Sequence, residues 1–306
     1  MVARLAGRAG PEDASERVLG VYKQSLESHV IPEVGTLTLA ELRRRDCIEL
    51  VGTLYKKGLA KNTIKRTIAA LKKALDAAVD AELLAPNPAT RLELPDKAPL
   101  RKAKPPTPKE LRKVLDKATP DARDIIVTIS GLGLRRGEAL ALRWLDVDFE
   151  RNLLFVRRQN IRGRIEEKTK TDAGTRTVPL FANVRAALEA RAKRLELPPV
   201  RWLANDRRLI FANSLGGPLE PTNWSRREWK PALTAAGIED LHVHDLRHSA
   251  ASQLHRLGMD NKLRSVVIGH ADERVTDEIY TTVDEETLQA IASKIDPLAT
   301  ALGSAQ

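Results

Sequence analysis

The chain of 306 residues holds a single cysteine, Cys47, so no intramolecular disulfide can form and a four-cysteine zinc site is excluded. One lone thiol is compatible with a reducing cytoplasm. Long apolar runs are missing as well. No stretch approaches the roughly 18 residues of a membrane span. Met1 to Gly10 carries two arginines but no apolar core of signal-peptide length. Internal repeats and low-complexity tracts are also lacking. Acidic residues are too few to balance the bases: 41 Asp and Glu face 51 Lys and Arg, a formal net charge of +10. Such an excess points to a polyanionic partner, nucleic acid first and an anionic membrane surface second. The absence of apolar runs weakens the membrane option. What remains is a chain with 42% hydrophobic and 30% charged residues, the balance of a well-folded globular protein, long enough for two domains.

Its organisation is read from periodicity and breakers. Residues 1–13, rich in Gly, Ala and Arg, read as a disordered N-terminus. A helical pattern runs from Ala14 to about Val30 and is broken by Pro32 and Gly35. Leu39 to Leu54 reads as another helix. From Asn62 to Ala81, Ile64, Ile68, Leu71, Leu75 and Val79 form one apolar stripe, with Lys65, Arg66, Lys72 and Lys73 opposite. No strand pattern precedes Leu94, so residues 14–94 read as an all-helical domain. Residues 95–106 mix proline with cations and read as a linker. The second domain, residues 107–306, opens on a capping box of Thr107 and Glu110 with Pro108 at the first helical position. Short strands are expected at Val147–Phe149, Leu153–Val156 and Arg176–Leu180, with turns near Asn152 and Gly163. Helices follow at Asn183–Leu195, Glu220–Ala236, His244–Leu257, Lys262–Ile268, Val275–Thr281 and Glu285–Ile295. The fold class is therefore mainly α with a small β-sheet, in two domains.

Three clusters can carry chemistry. In Gly131 to Glu138, glycines flank Arg135 and Arg136 at a helix start, where a phosphate can approach backbone N–H groups. Arg135 and Glu138, three apart, share a helical face. The second cluster is His244-Asp-Leu-Arg247-His248. His244 and Arg247 also share a face and suit an anionic oxygen, since a guanidinium binds phosphate through two parallel donors and keeps its charge. Zinc is the competing reading, through His242, His244 and His248. No carboxylate or cysteine set accompanies them, and Arg247 between them repels a cation. The third is Gly269-His270 with Tyr280 ten positions on, one of three tyrosines. A phenol with a pKa of about 10 is a poor nucleophile. It acts only where cations stabilise the phenolate and a neighbour takes the proton.

Together the clusters resemble the tyrosine recombinase (phage integrase) family. The order is Arg at a Gly-rich helix start, Lys on a hairpin, H-x-x-R, G-H, then Tyr. Gly133-Leu-Arg-Arg-Gly-Glu138, His244-Asp-Leu-Arg-His248, Ile268-Gly-His270 and Ile279-Tyr280 carry the resemblance. Lys168-Thr-Lys170, leading to Arg176-Thr-Val-Pro-Leu180, is similar to the family's β-hairpin. Counting back from Thr177-Val-Pro-Leu180 puts its catalytic lysine at Lys170, with Lys168 as the alternative. Gly58 to Thr63, the helix after it, and Asn87-Pro88-Ala89 resemble the helical core-binding domain. His29-Val-Ile-Pro32 and Leu37 to Leu42 look like the portion before it. The resemblance covers about residues 14–295. Departures are Thr169 where proline is common, Asp172 beside the lysine, Ile268 where leucine is usual, and the short N-terminus without an arm-binding domain.

That resemblance implies a helical core-binding domain, a mixed α+β catalytic domain, and a site-specific recombinase or integrase. Tyr280 is the implied nucleophile, giving a 3′-phosphotyrosyl link. Arg135 and Arg247 hold the non-bridging oxygens, Lys170 is the general acid, His244 assists proton transfer, and His270 donates to a phosphate oxygen. Glu138 is the implied orienter. No cofactor or metal is implied, because the arginines supply the charge. Lys61, Lys65, Arg66 and Lys72 are the expected DNA contacts. The implied partner is double-stranded DNA, bound by a homotetramer on paired sites, with a monomer or weak oligomer when free, in the cytoplasm and away from membranes. The segment from Glu285 to Leu302 either docks on a neighbouring protomer or packs on its own domain. A type IB topoisomerase-like enzyme and an inactive DNA-binding regulator are the alternatives.

Overall fold

A computed structural model of the chain describes residues 16–93, 104–167, 175–269 and 284–303. These are mostly helical, with small antiparallel sheets, as the fold class predicts. The chain divides into two compact units, Met1–Lys102 and Ala103–Gln306.

The first unit contains α1 (Glu16–His29), α2 (Ile31–Val34), α3 (Arg44–Lys56) and α4 (Lys61–Asp80). Ile64, Ile68, Leu71 and Leu75 of α4 are buried as predicted, together with Ala70, Ala74 and Ala78. They pack with Leu26, Val30, Cys47, Leu50 and Leu54 in one apolar cluster. Alanines on the flanks of the stripe let neighbouring helices approach closely. Val79, placed on the stripe by the sequence, is half-buried. The helix expected from Leu39 starts at Arg44 instead. The Glu41 carboxylate accepts from the Thr38 N–H at 2.9 Å and from its hydroxyl at 2.8 Å, so the preceding residues close a local turn. Asp46 then caps α3 by accepting from the Arg43 N–H at 2.7 Å.

The second unit opens with α5 (Pro108–Lys117). Its capping box forms as expected: Thr107 Oγ1 accepts from the Glu110 N–H at 3.2 Å, and the Glu110 carboxylate accepts from the Thr107 N–H at 2.8 Å. Next comes α6 (Pro120–Leu132), a helix the sequence reading did not anticipate, buried along nearly its whole length. Gly133 closes it with φ +63°, and α7 (Arg136–Ala139) follows at once. Strands β1 (Val147–Asp148), β2 (Leu153–Val156) and β5 (Arg176–Pro179) form a three-stranded antiparallel sheet close to the expected positions. Between β2 and β5 stands an unexpected hairpin, β3 (Arg158–Ile161) and β4 (Arg164–Glu167). Its two-residue turn, Arg162 and Gly163, has both φ angles positive, the geometry that matches strand twist. Buried Arg158 fixes this hairpin, bonding Asp146 at 2.8 Å and Glu167 at 2.6 Å.

Helix α8 (Ala182–Arg194) follows the sheet. The helix expected at 220–236 is a run of three pieces: α9 (Pro221–Trp224), a π-turn (Ser225–Trp229) and α10 (Lys230–Ala236). Helices α11 (Val243–Arg256) and α12 (Asn261–Ile268) match their expected spans within a residue or two. The expected helix Val275–Thr281 lies outside the described residues. At the C-terminus, α13 (Glu285–Lys294) and α14 (Ala299–Leu302) pack on their own unit. Leu288, Leu298 and Ala301 are buried in its core, and Asp296 accepts from the Asn183 N–H at 2.7 Å. Among the described residues no helix is long and apolar enough to cross a membrane.

Candidate active site

Two glycines at helix ends build the site. Gly133 ends α6 and Gly269 ends α12, both in the left-handed region, φ +63° and +69°. A side chain at either position meets a neighbour: an added Cβ would lie 2.2 Å from Ile268 Cδ1 at Gly133 and 2.9 Å from the Arg176 guanidinium at Gly269. The left-handed turns leave carbonyl oxygens at the negative ends of the helices, where cations are favoured. Arg247, 2% exposed on α11, donates to the Gly133 carbonyl at 2.7 Å and to the Gly269 carbonyl at 2.8 Å. Arg135, at the start of α7, donates to the same Gly269 carbonyl at 3.1 Å. Two guanidiniums remote in sequence thus converge on one oxygen.

Glu138 locks the arrangement. Its carboxylate is 1% exposed and accepts from the Arg135 N–H at 2.9 Å and from the Arg135 guanidinium at 2.8 Å. Arg247 approaches it to 4.0 Å. Arg135 keeps 44% of its side chain exposed, so its guanidinium is anchored on one edge and open on the other.

One participant was missed in the sequence. Arg176, the first residue of β5, is almost wholly buried. It donates to Glu138 at 3.0 Å and to the Val267 carbonyl at 3.0 Å. It therefore ties the start of β5 to Glu138 and to the last turn of α12. The signal was present as an arginine inside the apolar strand Arg176-Thr-Val-Pro-Leu180: a charge there must be buried with a partner. A third contact docks the β3–β4 hairpin. Gly137 of α7 lies against β3 so closely that a Cβ would sit 2.7 Å from the Asn160 carbonyl.

His244 stands one turn before Arg247 on α11. Its ring meets that of His248 edge to face, centroids 4.8 Å apart. Partial burial, then His248, Arg247 and Arg135, push its pKa below the ordinary histidine value, while Asp245 opposes them. The shift favours the neutral imidazole, the form able to accept a proton. A cleft of about 1040 Å³ opens beside it, bordered by Arg136, Ser225, Lys230, His242 and His244. Arg136 is held there by donating to the Ser225 hydroxyl at 2.5 Å, on the π-turn.

Of the sequence-predicted residues, Arg135, Glu138 and Arg247 come together, with His244 one turn away on the same helix. Lys170, its alternative Lys168, His270 and Tyr280 lie outside the described residues. Their neighbours are placed: Glu167 and Arg176 flank the lysine segment, and Gly269 precedes His270. Lys65, Arg66 and Lys72 are exposed on α4 of the first unit and Lys61 is half-buried. No group of three His, Cys, Asp or Glu able to hold a metal ion occurs among the described residues.

Residues 107–287 match the phage integrase family. The chain belongs to that family. It is thus a tyrosine recombinase, of the enzyme class that carries out site-specific DNA recombination, as its motifs predict. It is 28% identical over 253 residues to a tyrosine recombinase XerC-like protein of Caldanaerobacter subterraneus subsp. tengcongensis, covering 75% of this chain and 64% of that protein. It is 27% identical over 271 residues to tyrosine recombinase XerC of Alcanivorax borkumensis, covering 86% and 81%. The chain therefore spans just under two thirds of the first relative and about four fifths of the second. In fold, it is similar to the Tn1549 transposon integrase solved with circular intermediate DNA, with a TM-score of 0.73 at 20% identity, covering 94% of this chain and 97% of that one. It is similar also to a lambda integrase dimer bound to a COC′ core site, with a TM-score of 0.70 at 16% identity, covering 89% and 94%.

Proposed function

We propose that this recombinase cuts and rejoins duplex DNA through a covalent bond to Tyr280. The phenol oxygen attacks a backbone phosphorus, forming the tyrosyl–phosphate bond. The bond from phosphorus to the 5′-oxygen breaks, and Lys170 protonates that oxygen as it leaves. His244 takes the phenol proton. Arg135 and Arg247 hold the non-bridging oxygens, where charge builds in the transition state, and His270 donates to one of them. The energy of the diester bond stays in the phosphotyrosine. A second 5′-hydroxyl therefore reverses the step without ATP.

The observation that carries this reading is the convergence of Arg135 and Arg247 on the Gly269 carbonyl, with Glu138 beneath both. Both guanidiniums are fixed in place, and Arg135, with 44% of its side chain exposed, turns an edge outward where an anion can reach it. Residues 14–94 act as the helical core-binding domain, 95–106 as linker, and 107–306 as catalytic domain with its tail. Lys61, Lys65, Arg66 and Lys72 contribute contacts to duplex DNA. Four protomers act on two paired sites, in the cytoplasm where the DNA lies. The solved relatives include a lambda integrase tetramer bound to a Holliday junction, which supports that stoichiometry.

The test uses a duplex selected by binding from a random-sequence pool and nicked beside the cut site, so that the cleaved product escapes. The chain is expected to form a denaturant-stable protein–DNA adduct, and Tyr280→Phe to form none. An adduct with Tyr280→Phe would overturn the nucleophile assignment. Strand exchange between paired sites, as against relaxation of a supercoiled circle alone, separates recombination from topoisomerase action.

A further inference from the structure

Behind His244 lies a second basic depression that the reaction scheme leaves unused. It has a volume of about 460 Å³ and sits between α11 and α12. His248, Ser252, His255 and Arg256 of α11 line it, with Arg264 and Ser265 of α12. The first four stand at helical spacings of four, three and one, so α11 presents them along one side. Arg264 is half-buried and donates to Asn261 at 2.7 Å, which aims its guanidinium. Among the described residues no acidic residue lines the depression, and no ion pair involves His255, Arg256 or Arg264. In a chain with 41 acidic residues, a pocket whose described lining holds two guanidiniums, two imidazoles, two hydroxyls and no carboxylate suits an anion.

Its position says which anion. His248 is a shared wall: one side of its ring meets His244 of the catalytic cluster at 4.8 Å, and the residue also lines the depression. Pro105, where the linker enters this unit, forms the rim. A DNA strand presents one phosphate for about every 3.4 Å of helix axis. Arg256 stands nine residues beyond Arg247 on the same helix, about 13.5 Å on, so a strand that leaves the arginine pair in that direction brings further phosphates toward the pocket.

We propose that this pocket binds a backbone phosphate of the strand being cut, flanking the scissile one, through Arg256 and Arg264 with help from His248 and Ser252. The proposal rests on the strand-exchange reading. It adds a site that sets the register of the strand, so that the reactive phosphate falls under the arginine pair. Such a contact fixes position without reading sequence.

The experiment measures duplex affinity of the full chain across a salt series, on the binding-selected duplex and on a mixed-sequence duplex. The variants are Arg256→Gln/Arg264→Gln and Arg256→Lys/Arg264→Lys. Arg256 is exposed and Arg264 reaches its own helix start, so neither change opens the core. Losing one phosphate contact should weaken both duplexes severalfold at low salt. It should also flatten the slope of log K against log salt by roughly 1. The lysine pair should restore the slope. Unchanged slope and affinity in the glutamine variant overturn the proposal. So does weakening confined to the selected duplex, which would mean base contact instead. Adduct formation by the unaltered chain on the nicked duplex is scored separately. An adduct with no change of slope sinks the pocket and spares the reaction; a changed slope with no adduct does the reverse.

Discussion

At the scale of single residues, the site is an exercise in burying charge. Glu138 and Arg176 are both nearly inaccessible and bonded at 3.0 Å. Removing one member of a buried pair leaves the other uncompensated, at a cost of about 3–5 kcal/mol. Glu138→Ala is therefore expected to destabilise the second unit by that order, measured by denaturant unfolding. Glu138→Gln keeps the shape and one acceptor; it should fold, yet lower the cleavage rate on the nicked duplex by about a hundredfold, because displaced arginines lose their alignment. His244 gives a second test. Its pKa is pushed below the ordinary value of about 6.5, so the neutral form persists into mild acid. Cleavage should hold as pH drops past 6.5 and fail only once the lowered value is crossed. In His244→Gln that acid limb should vanish along with most of the rate. Stability follows the same sign. The unfolded histidine takes up a proton first, so the fold loses stability as pH falls below about 6.5, down to the lowered value. Four of the residues read from the sequence are placed here, and Arg176 is the one overlooked. A lone arginine in a short strand is an ordinary surface residue in most sequences. The apolar strand around it hints at burial, and the carboxylate it meets, 38 positions upstream, identifies its role.

Among the elements, what could be read depended on whether burial leaves a period. Helix α4 has one wet side, so its stripe was plain and its bounds fall within a residue of expectation. Helix α6 is buried all round from Ala122 to Leu132, apart from Arg123, and so carries no stripe to detect. Hairpin β3–β4 failed for the opposite reason. Arg158-Gln-Asn-Ile and Arg164-Ile-Glu-Glu are polar, and the strands are held by the Arg158 ion pairs and the turn geometry instead of an apolar face. Its turn at Gly163 was nonetheless legible. The helix ends that carry the site make a prediction of their own. Gly133 and Gly237 both end helices with positive φ, +63° and +66°. An added Cβ finds nothing within 4 Å at Gly237 but collides with Ile268 at Gly133. Gly237→Ala should cost about 1 kcal/mol through backbone strain alone. Gly133→Ala should cost roughly 1–3 kcal/mol more from overpacking. It should also depress cleavage, since Arg247 hangs on the Gly133 carbonyl. Equal Tm values for the two variants would show that Gly133 serves backbone conformation only.

For the whole molecule, net charge and its placement set how DNA is held. The formal excess of +10 acts at long range, while each cation that touches a phosphate adds affinity that falls as salt rises. The first unit displays Lys65, Arg66 and Lys72 on the wet side of α4, away from the buried face. Lys72 lies 3.6 Å from Asp76, one turn on, an exposed pair worth little by itself. The DNA contacts proposed for these cations differ in kind from those proposed for the arginine pair. Removing them should weaken binding without altering the chemistry of the bound complex. Lys65→Ala/Arg66→Ala is expected to flatten the salt slope of duplex binding by roughly 2, since each lost phosphate contact contributes about 0.9. At saturating protein the cleavage rate on the nicked duplex should stay near that of the unaltered chain. Arg247→Ala should show the converse, with a modest change of slope and a collapse of the saturated rate. If the α4 variant lost rate at saturation while its slope held, the helix would be acting on the geometry of the reacting strand, and the assignment of binding to the first unit and chemistry to the second would fail.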